Sequence, residues 1–594
     1  MKKKAQLIHP ARHAIILGVL GCAVLVMVWR AFDLQVLDTD FLQGQGDARH
    51  LRTVAIAAHR GMITDRNGEP LAISTPVDSV WANPREVAAS KAQWAALGRL
   101  LGQDADSLEE RVASRAGREF VYLKRRINPD VAQRVMALGI PGISLQREYR
   151  RFYPAGEVAA HVVGFTNIDD DGQEGMELAY NDWLRGMPGR KRVLRDRLGR
   201  VVENVESVAE PAPGKDLKLS LDLRLQYLAY RELKTAVRLH KARSGSAVIL
   251  DAVTGEVLAM VNQPSYNPNN PIRSRGGQYR NRAVTDVFEP GSTVKPITVA
   301  AALEAGKYHA DTIIDTAPGR FRVGRNMIRD SANYGAIDVT TVIQKSSNVG
   351  ASKIALSLQP AQLWGMFSRV GFGAGTGSSF PGEAGGSLSD YMHWREIEQA
   401  TISFGYGLSV TTLQLARAYS VLADHGRLKP ASLFPVTDGV QGEQVLGADV
   451  AAQVVAMMES VVNKRGTGAL ARVRGYRVAG KTGTVQKTGR GGYSDERYIA
   501  LFVGVAPASD PRLVMAVVVN EPRGEEYYGG RVAAPLFSSV MTGALRLLGI
   551  PPDDVPGNGL ETHRSRLAQD GKNEGAAPLH GAGALLSSLG GGVM

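Results

Sequence analysis

The stretch that decides the fold is residues 288–296, which read FEPGSTVKP and precede an apolar helical run at 297–303. Pro296 cannot lie deep inside a helix, because its ring would clash with the carbonyl four residues back. The helix is therefore predicted to begin at or just before Ser292, whose hydroxyl then lies at the positive end of the helix dipole beside free backbone N–H groups. Lys295 follows three residues later and is expected over the same face.

This spacing suggests a nucleophile and its base. A serine hydroxyl is a poor nucleophile until a base takes its proton, and a desolvated lysine near a second cation can have a pKa low enough to do so. Ser292 and Lys295 fit these two roles. The same spacing is also typical of a helix-capping serine followed by a surface lysine, and taken alone it favours that structural interpretation.

Two further motifs follow in chain order. Residues 345–350 (KSSNVG) place Ser346 and Asn348 between helical segments, and residues 481–485 (KTGTV) precede two apolar strands. Gly483 suits a strand that another backbone or a ligand must approach closely. Taken alone, the segment 345–350 would be a polar loop or cap, and the segment 481–485 would be an edge strand with a protective lysine. Together, Ser-x-x-Lys, Ser-x-Asn and Lys-Thr-Gly form the signature of β-lactamases and penicillin-binding proteins.

A competing motif overlaps the third one. Residues 475–482 (GYRVAGKT) match the P-loop pattern GxxxxGK[ST] letter for letter. A P-loop needs a hydrophobic strand before it and a helix after it, so that N–H groups point at phosphates. Here the charged segment 472–474 precedes the match and a glycine-rich segment follows, which disfavours a helix. We therefore interpret the match as coincidence.

The N-terminus contains a candidate membrane span. Residues 14–29 are uncharged and mostly apolar, and helix-like sequence continues to 37, which predicts a transmembrane anchor at 14–37. The alternative is a cleaved signal peptide, but no small-x-small cleavage site follows. Residues 1–30 contain five Lys or Arg and no acid, so 1–13 is predicted to be cytoplasmic and the rest of the chain to lie outside.

Beyond the anchor the sequence divides into three parts. Strand-like and loop-like segments at 40–215 end in a Pro- and Gly-containing linker, and a larger domain is predicted at 216–550. Its helices lie between early and late strands, which predicts an α+β fold with an antiparallel sheet. The tail 551–594 is rich in Gly and Pro and is predicted to be disordered.

Three local pairings are predicted. A hairpin over 63–73 turns at Asn67-Gly68 in a type I′ turn, which requires positive φ at both positions. A second hairpin joins 246–251 to 256–261. Before this hairpin, an amphipathic helix is predicted to begin at Asp222. The segments 498–506 and 513–520 are expected to be antiparallel neighbours.

Composition excludes several classes of function. The 594 residues carry a net charge of +12, and five of these charges lie in the first thirty residues, so the rest is too weakly basic for a nucleic-acid-binding protein. The single cysteine, Cys22, excludes an intrachain disulfide and a cysteine-based zinc site. The eleven histidines show no ligand-like spacing. No metal and no cofactor are predicted.

With these motifs in order, the sequence resembles the class B penicillin-binding proteins, and among them the division-specific peptidoglycan D,D-transpeptidases. The part before residue 216 also contains motifs of that family's non-catalytic pedestal: RGMITDRNG at 60–68, RFYPAG at 151–156, AHVVGF at 160–165 and GQEGME at 172–177. The resemblance implies an antiparallel sheet flanked by helices, with a helical subdomain, above a mixed α/β pedestal. Glycan polymerisation would belong to a partner, a membrane glycosyltransferase of the SEDS family, alongside other division proteins.

The resemblance also implies the reaction, which is acyl transfer from the D-Ala-D-Ala end of a stem peptide. Ser292 would attack the penultimate carbonyl after Lys295 takes its proton. Ser346 would relay a proton to the departing amine, while Asn348 orients Lys295. The backbone N–H groups of Ser292 and Thr484 would hold the oxyanion. The substrate-binding segment comprises Lys481, Thr482, Gly483 and Thr484. Its polar side chains, those of Lys481, Thr482 and Thr484, would bind the terminal carboxylate of the stem peptide.

β-Lactams would acylate the same serine and inhibit the enzyme covalently. Class A β-lactamases release such an adduct with a glutamate in an E-x-x-L-N segment, and no such segment lies between Ser346 and Lys481. The sequence therefore favours a transpeptidase over a hydrolase. The resemblance and the predicted anchor imply a protein of the cell inner membrane with its catalytic domain in the periplasm. A β-lactamase-like hydrolase, a catalytically silent division scaffold and a P-loop NTPase stay as alternatives, in falling order.

Overall fold

The computed structural model describes residues 10–37, 51–195, 201–271, 276–437, 439–489 and 492–554. Its first element is an α-helix over Pro10–Phe32, which continues as a π-helical turn over Asp33–Leu37. The span Ala14–Gln35 has a mean hydropathy of 2.3 and is not buried against the rest of the chain. By length and composition this helix can cross a membrane. Most of the predicted tail, from residue 555, lies outside the described residues.

A mixed sheet forms the centre of the pedestal. Its longest strand, Pro70–Ala82, pairs antiparallel with Val121–Ile127 and with Ile143–Phe152. The other end of the long strand pairs with Ile63–Thr64, which pairs in parallel with Leu217–Lys218. This last pair fixes the start of the larger domain against the pedestal.

Short helices and a second sheet complete the pedestal. Leu97 and Leu108 are fully buried in a separate apolar cluster beneath the long strand. The helices are Lys91–Leu101, Ala105–Ala113, Pro129–Met136, Gly156–Val158 (3₁₀), Ala160–Val163, Gly175–Ala179 and Asn181–Arg185. The second sheet contains Leu51–Ile56, Gly189–Arg195 and Val201–Ala209.

The larger domain is built on a five-stranded antiparallel sheet, the central sheet. Its strands lie in the order Val257–Gln263, Ser244–Asp251, Leu513–Asn520, Gly492–Ala506 and Ala479–Gly489. The hairpin at 246–261 and the neighbouring pair at 498–520 are thus confirmed. The strand Ala479–Gly489, here called the motif strand, lies at an edge of this sheet, and its outer side is not paired with another described strand.

Helices cover both faces of the central sheet because its strands are apolar on both sides. The helices Leu223–Leu239 and Gly529–Leu547 pack on the face of the sheet that contains the buried side chains of Ile249 and Phe502. The first of them begins directly after Asp222, as predicted. The opposite face packs against Thr412–Ala423. The predicted α+β fold with a helix-flanked antiparallel sheet is confirmed.

The remaining elements of the larger domain form the helical subdomain and short hairpins. The helices are Gly276–Gln278 (3₁₀), Arg282–Thr285, Gly291–Val294 (3₁₀), Lys295–Glu304, Val339–Lys345, Asn348–Ser357, Pro360–Arg369, Tyr391–His393 (3₁₀), Glu396–Ile402, Ala448–Val462 and Ala469–Ala471 (3₁₀). The short strands are Ile313–Asp315, Arg320–Val323, Asn326–Arg329, Ala336–Asp338, Ser387–Leu388, Leu408–Ser409, Arg427–Leu428 and Glu443–Gln444.

One turn differs from its prediction. The hairpin at 63–73 forms, but only Gly68 has a positive φ, of 91°, so the type I′ assignment at Asn67-Gly68 was wrong. The carboxylate of Asp65 accepts hydrogen bonds from the backbone N–H groups of Asn67, at 2.7 Å, and Glu69, at 2.8 Å. This Asx-type turn closes the loop without left-handed backbone at Asn67.

The P-loop pattern does not form a P-loop. Its lysine and threonine lie inside the motif strand, which continues directly after them, so the helix that a P-loop requires at this point is replaced by a strand. Gly475 lies instead in a tight turn closed by an isolated bridge between Val473 and Tyr476. The interpretation of this match as coincidence is confirmed.

Candidate active site

Ser292 lies in the 3₁₀ turn Gly291–Val294, directly before the helix Lys295–Glu304. The predicted helix start is therefore correct to within one turn. Ser292 is half-buried, and its side chain makes no hydrogen bond within the described residues. The hydroxyl is thus available to a ligand, in keeping with catalytic hydrogen bonds that form only when substrate is bound.

The backbone before Ser292 is held closely by a second loop. The N–H of Gly291 donates to the carbonyl of Gly405 at 3.1 Å, and Gly291 has a φ of +54°. A Cβ atom on Gly405 would lie 2.1 Å from the Gly291 carbonyl oxygen. Only glycine permits this approach, so the loop at 405 fixes the position of the turn Gly291–Val294, here called the reactive turn.

Lys295 is fully buried and points at the second motif. Its Nζ atom lies 2.5 Å from the carbonyl oxygen of Ser346, 3.2 Å from the Ser346 Oγ and 2.8 Å from the Asn348 Oδ1. Burial and the charge of Lys481 hold the pKa of Lys295 well below its usual 10.5, while Asp330 opposes that shift. Burial that lowers the pKa of a lysine favours its neutral amine, which is the form that can accept a proton.

Ser346 owes its position to an unusual backbone. It is the C-terminal cap of the helix Val339–Lys345 and adopts left-handed backbone, with a φ of 62°. The next helix, Asn348–Ser357, begins two residues later with Ser347 as its cap. This short junction turns the Ser346 hydroxyl and the Asn348 amide toward the same lysine. The predicted placement of the motif between two helices is confirmed.

Lys481 approaches the Ser346 hydroxyl from the motif strand. Its Nζ atom lies 2.9 Å from the Ser346 Oγ and 3.1 Å from the carbonyl of Thr482. Its side chain is fully buried, and burial lowers the pKa of Lys481 to about 7. Two lysine amines therefore meet at one serine hydroxyl, which can accept from one and donate to the other.

The rest of the motif strand presents hydroxyls and a close backbone approach. The Thr482 and Thr467 hydroxyls are 2.8 Å apart, while the Thr484 Oγ1 accepts from the N–H of Gly529 at 3.0 Å. Because Thr484 accepts there, its own hydrogen is free to donate to a ligand. A Cβ atom on Gly483 would lie 3.0 Å from the Thr293 side chain, so this glycine admits the reactive turn itself rather than a ligand alone.

An aspartate that the sequence did not single out anchors the second motif. The Asp330 carboxylate accepts from the backbone N–H of Asn348 at 2.5 Å, from that of Val349 at 3.0 Å and from the Ser347 hydroxyl at 2.6 Å. The Asn348 side-chain amide also donates to the Arg329 carbonyl at 3.0 Å. Asn348 is thus held at both ends of its amide.

The structure brings the predicted side chains of Lys295, Ser346, Asn348 and Lys481 into one hydrogen-bonded cluster. Ser292 lies three residues before Lys295, in the 3₁₀ turn that leads into the same helix. Sequence reasoning missed Asp330, Thr467 and Gly405, because an isolated aspartate, threonine or glycine carries no signal without its partners. No group of histidine, cysteine or acidic side chains that could hold a metal occurs among the described residues.

Two family models match the chain. The penicillin binding protein transpeptidase domain matches residues 245–542, and the penicillin-binding protein dimerisation domain matches residues 55–219. The first match contains the whole lysine–serine cluster, and the second contains all the pedestal motifs.

Curated relatives are similar over almost the whole chain. The peptidoglycan D,D-transpeptidase FtsI of Escherichia coli K12 is 46% identical over 91% of this chain and 92% of its own length. A probable peptidoglycan D,D-transpeptidase, PbpC, of Pseudomonas aeruginosa is 44% identical over 92% of this chain and 96% of its own.

Solved structures share the fold. The transpeptidase domain of penicillin-binding protein 3 from Burkholderia pseudomallei aligns with a TM-score of 0.53 and 43% identity, over 56% of this chain and 97% of that one. A peptidoglycan synthetase from Bifidobacterium adolescentis aligns over 86% of this chain and 99% of its own with a TM-score of 0.68, at 24% identity.

Proposed function

The chain belongs to the penicillin-binding proteins, and on that basis we propose that it is a peptidoglycan D,D-transpeptidase of cell division. It cross-links the stem peptides of the septal wall through a serine acyl-enzyme, and penicillin inhibits it covalently. The observation that carries the proposal is the meeting of two buried lysine amines at the Ser346 hydroxyl, one of them from Lys295, three residues after Ser292. A capping serine with a surface lysine would show neither the burial nor this convergence.

Acylation begins with the neutral amine of Lys295. It takes the proton of the Ser292 hydroxyl as the oxygen attacks the penultimate D-Ala carbonyl carbon, and the carbonyl becomes an oxyanion. The backbone N–H groups of Ser292 and Thr484 are proposed to hold that oxyanion. Removal of one such donor in comparable sites costs about 3–4 kcal/mol of transition-state stabilisation.

Release of the terminal D-Ala needs a proton at the departing nitrogen. Ser346 lies between Lys295 and Lys481, so it can donate its hydrogen to that amine and recover one from the Lys295 ammonium. The C–N bond breaks, and the Ser292 ester is left. An amine of a neighbouring stem peptide then attacks the ester, forms the cross-link and returns the hydrogen to Ser292.

The terminal carboxylate of the substrate needs a cation and hydroxyl donors. Lys481, Thr482 and Thr484 supply them along the motif strand, and Gly483 keeps that strand close to the reactive turn. A carboxylate bound there raises the fraction of Lys481 that is charged, because an opposite charge favours the ammonium form.

In the proposed organisation this site lies outside the cytoplasm, in the periplasm. Residues 1–13 are cytoplasmic, 14–37 form the anchor in the inner membrane, 40–215 form the pedestal and 216–550 form the transpeptidase domain in the periplasm. The basic N-terminus and the apolar span Ala14–Gln35 support this orientation. A membrane glycosyltransferase of the SEDS family and other division proteins are the proposed partners. Protease added to spheroplasts should remove the transpeptidase domain and spare the N-terminus.

Labelling with a fluorescent penicillin tests the catalytic proposal. The wild-type protein should form a stable adduct, Ser292→Ala should form none, and Ser114→Ala, in the pedestal, should label normally. Lys295→Ala should stay folded but lose acylation. Rapid loss of the label would favour a hydrolase, absence of label would favour a silent scaffold, and label on Ser292→Ala would remove this serine from the mechanism.

A further inference from the structure

The reactive turn touches the motif strand on both sides of Ser292. On one side, a Cβ atom on Gly291 would lie 2.4 Å from the Val485 side chain. On the other side, the Thr293 side chain faces the glycine that precedes Thr484, where an added Cβ atom would lie 3.0 Å from it. Ser292 and Thr484 are the middle residues between these two contacts. The backbone N–H groups proposed to hold the oxyanion therefore belong to residues that lie opposite each other.

The helix that follows gives the reactive turn little support. Pro296, the second residue of that helix, has no N–H, so the carbonyl of Ser292 cannot accept the usual bond from four residues later. This carbonyl accepts instead from the N–H of Lys295, three residues later, in 3₁₀ geometry. Such bonds have poorer geometry than α-helical ones. The position of the turn therefore depends on contacts with other elements of the domain.

Two hydrogen bonds from other elements hold the turn, one on each side of Ser292. Before it, the N–H of Gly291 donates to the carbonyl of Gly405, as described above. After it, the carbonyl of Thr293 accepts from the hydroxyl of Tyr419 at 2.7 Å. Tyr419 belongs to the helix that packs on the opposite face of the central sheet, 126 residues away in the chain. This helix therefore reaches the backbone directly after the reactive serine.

The bond from Tyr419 lies in the interior of the domain. The side chains of Tyr419 and Thr293 are both fully buried. Burial holds the pKa of Tyr419 well above its usual 10, so the phenol keeps the hydrogen that it donates. Within the described residues, the Thr293 carbonyl is the one hydrogen-bond partner of this hydroxyl. A phenylalanine would fill the same apolar space, so packing alone does not require a tyrosine here.

We propose that Tyr419 is a positioning residue of the transpeptidase, whose hydroxyl holds the reactive turn against the motif strand through Thr293. It thereby sets the distance between the two N–H groups, of Ser292 and Thr484, that are proposed to hold the oxyanion. The inference rests on the proposed function and adds to it a residue that acts only through the backbone of the turn. Because the oxyanion forms only as the reaction proceeds, a displaced donor slows acylation more than it weakens binding.

The variant Tyr419→Phe tests this role in the purified full-length protein in detergent, because it deletes only the hydroxyl. Stopped-flow labelling over a range of fluorescent penicillin concentrations separates the dissociation constant of the noncovalent complex from the rate constant of acylation at saturation. The rate constant should fall about tenfold, since small displacements of reacting groups are costly. The dissociation constant should stay within about twofold of the wild-type value. The pH dependence should be unchanged, because Lys295 and Lys481 keep their hydrogen bonds.

The matched control is Tyr266→Phe. The Tyr266 hydroxyl donates to the carbonyl of Ala160 at 2.9 Å, and its side chain is buried, so this variant removes the same kind of bond elsewhere in the protein. Each variant leaves a buried carbonyl without this donor and should melt a few degrees below the wild type. Measured below both melting temperatures, only Tyr419→Phe should acylate slowly.

The positioning role has three contrary outcomes. Acylation of Tyr419→Phe at the wild-type rate would overturn it. An equal loss of rate in the two variants would show general destabilisation instead, and a loss confined to the dissociation constant would show an effect on binding. Each of these results overturns the role of Tyr419 and leaves the transpeptidase function intact. A wild-type protein that penicillin does not label would overturn the function itself.

Discussion

The Nζ atom of Lys481 lies 2.9 Å from the Oγ atom of Ser346, although 135 residues separate them in the chain. Lys295 reaches the same oxygen from the other side, at 3.2 Å. A hydroxyl that accepts from a charged Lys481 has its own hydrogen left for a neutral Lys295. Ser346 therefore connects the proposed base to the proposed carboxylate-binding cation, and a proton can pass through it.

Removal of this bridge should slow acylation without unfolding the protein. Ser346→Ala deletes only an oxygen, but it takes away the proton path to the leaving group, and general acid–base groups typically contribute about 10²–10⁴-fold. We expect penicillin labelling to slow by at least about 10², measured as the second-order rate constant. Ser357→Ala, at the end of the next helix, removes a local hydroxyl bond and should label at the wild-type rate.

The two lysines predict a bell-shaped pH dependence of acylation. Lys295 must be neutral, and its pKa lies well below 10.5, so the rate constant should rise with pH on the acid side as this proton is lost. Lys481 must be charged to bind a carboxylate, and burial lowers its pKa to about 7, so the rate constant should fall as pH rises through that region. The second-order rate constant reports these groups in the free enzyme.

Stopped-flow labelling across pH 4–10 measures both the rise of the rate constant at low pH, the acid limb, and its fall at high pH, the alkaline limb. Lys481→Arg keeps its charge at every pH in this range, so the alkaline limb should move to higher pH while the acid limb stays. Because the two amines share one hydroxyl, the two apparent pKa values belong to the pair. A rate constant that climbs steadily to pH 10 would contradict the requirement for a charged Lys481, and a rate constant that does not rise on the acid side would contradict the assignment of Lys295 as a neutral base.

Asp330 should act through the groups that it positions. Its carboxylate accepts three hydrogen bonds at the start of the helix Asn348–Ser357, and its charge raises the pKa of Lys295 against the effect of burial. Asp330→Asn should slow acylation on the order of tenfold, because charge-assisted bonds to this junction are lost. It should also move the acid limb of the pH profile to lower pH.

The shift of the acid limb distinguishes an effect of the Asp330 charge on the pKa of Lys295 from a purely structural effect on the second motif. Asp104→Asn is the matched control, since Asp104 caps a pedestal helix with the same chemistry and asparagine caps equally well. It should change neither the rate nor the profile. An Asp330→Asn protein with a slower rate and an unmoved acid limb would show that the carboxylate acts on geometry alone.

The sequence located the site because its chemistry lies in short motifs. Each of the three motifs is a local pattern: Ser-x-x-Lys at 292–295, Ser-x-Asn at 346–348 and KTGT at 481–484. Their order along the chain indicates one family. The hairpin at 246–261 and the antiparallel pair at 498–520 were predictable for the same reason. Their paired strands lie close together in the chain, so the pattern that predicts each pairing is visible in one short stretch of sequence.

The supporting residues could not be found in this way. Asp330 reaches the second motif from the end of a short hairpin, and Gly405 meets Gly291 across more than a hundred residues. Nothing in the sequence around either residue indicates its partner. The turn at Asn67 failed for a related reason, because a side-chain bond from Asp65 replaced the backbone geometry that the dipeptide usually indicates.

The pedestal motifs meet in a buried cluster of charged side chains, where a substitution is expected to lower the stability of the pedestal most. The Glu177 carboxylate is fully buried between two guanidiniums, with Arg60 Nε at 2.7 Å and Arg151 Nε at 2.6 Å. Glu177→Gln leaves two buried cations without their counter-ion. Removing one partner of a buried ion pair costs about 3–5 kcal/mol, so the melting temperature should fall by several degrees.

The loss should be confined to stability, because the cluster carries none of the proposed chemistry. Arg85→Gln is the matched control: its ion pair with Glu119 has both side chains more than half exposed, and such pairs contribute about 0–1 kcal/mol. Calorimetry should therefore separate the two variants clearly. Below its melting temperature, Glu177→Gln should take up penicillin at the wild-type rate, and a variant that melts normally but labels slowly would instead connect the pedestal to the reactive serine.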